Sequence, residues 1–306
     1  MGTTTGAAPA AATNFDIIGS VSPRAREALM RGWDNARLEL DRGLFTGMVA
    51  TVEAVLAPEH QTRPTSVDEV EEAVFSVTEQ FIDYVPDIDS RELALLEERL
   101  GAKEMRHLVH AMYILDQNVR LGIALQKLDL RLSGGSRGSD DAAPEARPGL
   151  VRAGWDWHHS VYALRGGLDI VTNELLRLRA GEYHHCDFCL SLRRLEGGTR
   201  VVSPALEGML SGYQDSDMPR RLKTALRLAD VYMSDPVQLD RAIRDDLMLD
   251  YSVEQIAEIL MVVSACNHQK VRVALGTAMP ARPQGLSEYV VHDDGSIEVG
   301  ELLPRS

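Results

Sequence analysis

The stretch VEEAVFSVTEQFIDYV, Val70–Val85, decides the fold. Val70, Val74, Val77, Phe81 and Val85 recur at steps of three and four, which lines one face of an α-helix; a half-buried strand would alternate at steps of two. The same period runs through RRLKTALRLADVYM, where Leu222, Ala225, Leu226, Ala229 and Tyr232 or Met233 share a face. Strand-like alternation is scarce. The exception is EYVVHDDGSIEVGEL near the C-terminus, where Asp294-Gly295 sits between short β-branched runs and suits a tight hairpin turn. The sequence therefore predicts an all-α protein carrying, at most, that one hairpin.

Working outward, the two helical stretches sit in longer segments that resemble each other. One begins at Ser66 and the other at Ser216, an offset of about 150 residues. Each runs helix, proline break, short acidic helix, then a long apolar helix interrupted by polar residues, Asp116-Gln117-Asn118 in one and Asn267-His268-Gln269 in the other. This order reads as an internal duplication. Between the segments lies SGGSRGSDDAAPEARPG, which lacks apolar periodicity and reads as a linker. The expected organisation is a disordered tail at 1–14, a first helical repeat at 15–131, a linker at 132–149, a second repeat at 150–278 and an extension at 279–306.

The chain has 306 residues, enough for two units of ordinary domain size. Its 46 acidic residues against 32 basic ones give a formal charge of -14, a field that repels nucleic acid and anionic lipid. No apolar run approaches the roughly 20 residues of a membrane span, and MGTTTGAAPAAATN lacks the basic and apolar regions of a signal peptide. The expectation is a soluble, cytoplasmic protein with neither nucleic acid nor membrane as a partner.

Two of the three cysteines fall in GEYHHCDFCLSLRR, Gly181–Arg194. In a reducing compartment a closely spaced pair points to metal binding or redox chemistry, although buried cysteines also serve as small core residues. Read as a helix, the stretch aligns Glu182, His185 or Cys186, Cys189 and Arg193 on one face. Arg193 would then favour Cys189 as the thiolate, and Glu182 would accept or relay a proton beside Cys186. A pair made unequal in this way suits a dithiol centre in which one sulfur attacks an oxidant and the other resolves the sulfenic acid. A zinc site would need Cys186 and Cys189 with one or two of His184, His185, His158 and His159. Thioredoxin is disfavoured, because alternating strands and helices around the pair are missing. Cys266, within EILMVVSACN, reads as core, and Trp33, Trp155 and Trp157 as core or pocket wall.

GLDIVTNELLRLRAGEYHHCDFCLSLR, followed by RLKTALRLADVYM and YSVEQIAEILMVVSACNHQKVRVALG, resembles the alkylhydroperoxidase D-like, carboxymuconolactone decarboxylase superfamily from about Leu168 to Gly276. The first repeat looks like a degenerate, cysteine-free copy of the same unit. The resemblance implies an all-helical fold of units that associate into trimers or hexamers, a small-molecule substrate such as a hydroperoxide, and a thiol reductant. It also implies catalytic roles for the cysteine pair and for a glutamate twelve residues before it, which is Glu174 (186 − 174 = 12). Cys189 would attack, Cys186 resolve and Glu174 act as base or relay. The sequence departs from the family at Arg193, where a histidine is usual, and at Phe188, where another is frequent. Arg193 can stabilise a thiolate or hold an anion but does not relay protons near neutral pH. His185 stands as a replacement imidazole.

The superfamily's other branch implies a second reading, a cofactor-independent lyase, isomerase or decarboxylase acting on a small carboxylated metabolite, with His158, His159 and His268 lining its pocket. A third is a non-catalytic assembly in which the cysteines only pack. Nothing points to haem, flavin or nicotinamide, and no cofactor is expected.

Overall fold

The computed structural model describes residues 15–58, 62–130 and 149–300. The expected tail at 1–14 and nearly all of the expected linker lie outside them. The first part of the chain contains α1 (Asp16–Val21), α2 (Pro23–Glu39), α3 (Arg42–Leu56), α4 (Glu69–Tyr84) and α5 (Ser90–Lys127). Then come α6 (Leu150–Tyr162), α7 (Ile170–Tyr183), a single turn α8 (Asp187–Leu190), β1 (Leu192–Glu196), β2 (Thr199–Arg200) and α9 (Pro204–Glu207). The last stretch holds α10 (Arg220–Ser234), α11 (Arg241–Leu247), α12 (Val253–Cys266), α13 (Gln269–Ala274), β3 (Ser287–Val291) and β4 (Ile297–Gly300).

The helical reading holds where it began. In α4 the apolar stripe is buried at Val74, Val77 and Phe81, Asp68 caps the helix by accepting from the Glu71 amide at 2.9 Å, and Glu69, Glu71 and Glu72 face the positive end of the dipole. In α10 the buried residues include Ala225, Leu226, Ala229, Tyr232 and Met233, as their spacing requires. Buried side chains from both halves form one contiguous core. Across it α2 packs on α6, α3 and α4 pack on α5, and α7 packs on α10 and α12. Among the described residues no helix is long and apolar enough to cross a membrane.

The expectation of an all-α chain with at most a hairpin is corrected to a mostly helical chain with a small mixed sheet. The hairpin exists: β3 and β4 pair antiparallel, with Gly295 at φ 85° in the turn. It is half of a four-stranded sheet in the order β2–β1–β3–β4, in which β1 runs parallel to β3 with Arg194 opposite Tyr289. Gly295 also seats the turn on α6. A Cβ there would lie 1.8 Å from the His159 carbonyl oxygen, so only glycine allows the approach.

The helical reading of Gly181–Arg194 is also corrected. Helix α7 stops at Tyr183, where the Cys186 amide bonds back to the Gly181 carbonyl at 3.0 Å and the His185 amide to that of Glu182 at 3.3 Å. This is a Schellman stop with His185 in the left-handed position at φ 52°, where glycine is the usual occupant. The chain then makes the single turn of α8 and extends into β1.

At the centre, α5 and α13 carry a buried ion cluster. Asp116 accepts from Arg120 Nε at 2.8 Å and from Lys270 Nζ at 2.9 Å. Arg120 also donates to the Tyr232 and Met233 carbonyls at the end of α10, and Lys270 to the Phe81 and Ile82 carbonyls at the end of α4. The two cations thus meet one carboxylate and the negative ends of two helices, satisfying carbonyls left over where those helices end.

Candidate functional site

The site is built where α7 gives way to β1. Cys186 is the N-cap of α8, its sulfur accepting from the Cys189 amide at 3.3 Å, and the two sulfurs are joined in a disulfide across a Cα separation of 5.3 Å. Cys186 is fully buried. Cys189 is 7% exposed and forms part of the wall of a cavity of about 380 Å³.

Behind Cys189 lies a saturated carboxylate. Glu174, on α7, accepts from Arg177 Nε and Nη2 at 2.7 Å each, from the Tyr289 hydroxyl at 2.5 Å and from the Arg194 amide at 3.2 Å. Arg177 also donates to the Cys189 carbonyl at 2.6 Å and the Leu192 carbonyl at 2.8 Å, so the ion pair fixes the backbone that bears the sulfur. Glu174 does not face the cavity of Cys189; it lines a second one of about 290 Å³, and Tyr289 and Tyr162 line both. Burial, with Glu174 adding to it, pushes the Tyr289 phenol well above its ordinary value and keeps it a donor. Tyr289 thus joins the Glu174 carboxylate to the wall of the cavity that holds Cys189.

The opposite wall of the larger cavity is rich in imidazole and aromatic rings. His158 stacks on Tyr162 with centroids 4.3 Å apart, and Trp155 lies 4.4 Å from His268. His158 and His268 are 8% and 6% exposed, and His158 Nδ1 and His268 Nε2 have no partner among the described residues. Burial, reinforced by neighbouring His159 and Arg272, pulls His158 down to about 3; burial likewise holds His268 well below its ordinary value, so both rings are neutral near pH 7. Cys266 shares this cavity with its sulfur 3.5 Å from the Tyr162 hydroxyl, and burial raises its thiol to about 11, in keeping with a packing role.

Of the residues singled out from sequence, Cys186, Cys189 and Glu174 come together through Arg177. Arg193 and His185 do not join them. Arg193 lies on β1, not on a helix face with the cysteines, and is neutralised by Glu207 with Nε to Oε2 at 2.8 Å, while also donating to the Leu190 and Leu192 carbonyls. His185 is exposed, with Nε2 3.0 Å from the Tyr84 hydroxyl. Glu182 pairs with Arg179 at 2.9 Å. His184 is buried against the Asn267 side chain at 2.9 Å, and among the described residues no group of three or more His, Cys, Asp or Glu side chains is placed to hold a metal ion. Trp155 is pocket wall, Trp157 fully buried core, and Trp33 a half-buried ring against Phe45.

Sequence reasoning missed Arg177, Tyr289 and Arg272. Arg177 had a signal, because it follows Glu174 by one helical turn. Tyr289 had none, since its neighbours in space are 115 residues away in the chain.

No family model matches the chain, and no solved structure matches it. Two proteins of Mycobacterium tuberculosis do: uncharacterized protein MT2376 of strain CDC 1551 / Oshkosh and uncharacterized protein Rv2313c of strain ATCC 25618 / H37Rv. Each is 28% identical over 231 residues, covering 75% of this chain and 81% of the relative.

Proposed function

We propose that the protein is a thiol-dependent oxidoreductase of the alkylhydroperoxidase type. The observation that carries this reading is the placement of Cys189 on a cavity wall with Cys186 in bonding reach behind it. In the reaction the Cys189 thiolate attacks a peroxide oxygen, the O–O bond breaks, and the alkoxide leaves as the alcohol after taking up the proton the thiol gave up. The Cys186 thiol then attacks the sulfenic sulfur, expelling water and forming the disulfide, which an external dithiol reduces. Arg177 positions the Cys189 backbone, and Tyr289 links the cavity to Glu174. The test is a stoichiometric dose of cumene hydroperoxide on the reduced protein, followed by alkylation and peptide mass mapping, with Cys189→Ser alongside. Rapid formation of the Cys186–Cys189 disulfide in the wild type alone supports the reading; two thiols still alkylatable after minutes overturn it.

The unpartnered nitrogens of His158 and His268 favour a second reading, cofactor-independent proton transfer on a small carboxylated metabolite that these rings hold in the cavity. The two readings separate on one variant, because lyase or isomerase turnover survives Cys186→Ser/Cys189→Ser and peroxide reduction does not.

We further propose that the chain is a tandem duplication whose first unit has lost the cysteine chemistry and that the fused pair replaces a homodimer within a larger homo-oligomer. The duplication is supported by the spacing of the two cations that converge on Asp116 in the buried ion cluster. Arg120 and Lys270 stand 150 positions apart (270 − 120), the offset of the two segments; Arg120 donates to the carbonyl ends of both α10 and α4, and Lys270 to that of α4.

A further inference from the structure

We propose that the cavity beside Cys189 is a binding site for a small aromatic carboxylate, with Arg272 as its anchor. Arg272, on α13, lies on the cavity wall with its guanidinium 4.0 Å above the Phe188 ring, between the two cysteines in sequence. Three of the buried arginines are held by close carboxylates, Arg120 by Asp116, Arg177 by Glu174 and Arg193 by Glu207, and a fourth, Arg194, reaches Glu196 only at 3.9 Å. Arg272 has no such counter-ion; among the described residues no carboxylate or carbonyl takes its donors. Burial alone draws it below the ordinary arginine value, the mark of a cation that has lost water and gained no anion. A planar guanidinium with a free fork is matched by a carboxylate held through two parallel hydrogen bonds.

The rest of the wall specifies the body of the ligand. Trp155, Tyr162 and Phe188 offer ring faces, Ile297 and Val299 of the hairpin close the cavity with aliphatic groups, and about 380 Å³ falls at the small end of ligand sites, enough for a single-ring acid. The partnerless nitrogens of His158 and His268 belong to residues more than nine-tenths buried on the same wall. A neutral imidazole nitrogen donates or accepts according to its tautomer, so these two atoms suit a ring hydroxyl, which does both. The ligand is therefore a hydroxyl-bearing aromatic acid more readily than a bare one.

Binding is measured at equilibrium, without peroxide, on the full-length Cys186→Ser/Cys189→Ser protein, so its outcome is separate from that of the thiol reaction. Isothermal titration uses 4-hydroxybenzoate and benzoate, with benzamide as the uncharged isostere and inorganic phosphate as the bare anion. The expected result is saturable binding of 4-hydroxybenzoate, weaker binding of benzoate, and a loss of roughly tenfold or more for benzamide and for Arg272→Gln with either acid. Arg272→Lys, which keeps the charge but not the fork, falls between them. Far-UV circular dichroism and a melting curve establish that the variants are folded. The proposal is overturned if neither acid binds at millimolar concentration, if benzamide or phosphate binds as well as benzoate, or if folded Arg272→Gln binds benzoate within twofold of the parent.

Discussion

Glu174 stabilises its surroundings by being fully used. Its two oxygens accept four hydrogen bonds, and its side chain is 1% exposed beside an Arg177 that is 7% exposed. Removing the negative charge leaves a guanidinium buried without a counter-ion, which is far more costly than the net gain from forming such a pair. Glu174→Gln is therefore expected to lower the unfolding free energy of the reduced protein by about 3 kcal/mol, measured by guanidinium denaturation. His185 is a different case. It holds the left-handed position that ends α7 and contacts only the rim at Tyr84, so His185→Gly relieves backbone strain and removes no group from the cavity. Peroxide-driven disulfide formation in that variant is expected to match the wild type; a large slowing, read by quenched alkylation, would restore His185 as a proton carrier. The cysteine pair was legible because its spacing is local, whereas Glu174 was named only through the family resemblance. Arg193 was misplaced because its reading assumed a continuous helix, and EYHHCDFC, where the helix ends, lacks the glycine or proline that normally announces a stop.

The C-terminal hairpin is the element that closes the site. It brings Tyr289 to Glu174, lays Ile297 and Val299 over the cavity, and rests its turn on α6 through Gly295. Alanine at 295 meets both the positive φ and the His159 carbonyl, so the turn must lift. Gly295→Ala is expected to lower stability by about 2 kcal/mol and to speed alkylation of reduced Cys189, followed by peptide mass spectrometry; unchanged alkylation with the hairpin intact would show that it does not gate the sulfur. This hairpin was readable from Asp294-Gly295 between apolar runs. Strand β1 was not, since its partner β3 begins 95 residues later (287 − 192) and LRRLE alone has no clear alternation. Pairing across such a distance depends on the assembled core and leaves little local trace.

Over the whole molecule, several buried polar groups tie stability to pH. His158 and His184 titrate at about 3 in the folded protein and His268 also lies low, in each case chiefly through burial; in the unfolded chain a histidine titrates near 6.5. Between about pH 6.5 and pH 3 the unfolded state therefore binds more protons, and stability falls as pH falls. The expected loss is about 1 kcal/mol per histidine per pH unit below pH 6.5. It is measured as the guanidinium midpoint between pH 7.5 and 5.0, and Cys186→Ser/Cys189→Ser should show the same slope, because the disulfide does not titrate. A flat profile would mean that these imidazoles find water or partners in solution. The ion cluster of Asp116, Arg120 and Lys270 belongs to this scale too. The sequence marked its location as polar breaks in two apolar helices, while the pairing that neutralises it joins residues 154 apart.

The sequence by itself determined the long amphipathic helices, the C-terminal hairpin and the spacing of the cysteine pair, because period, turn chemistry and contacts within a few residues are local properties of the chain. The tertiary structure alone decided that α7 ends at Tyr183, that β1 joins the hairpin in one sheet, that Arg177 and Tyr289 hold Glu174, and that Arg272 shares a cavity with Cys189, His158 and His268. Those outcomes depend on which surfaces meet when the core closes. Burial, which sets the charge state and partners of every group in the site, exists only after that closure.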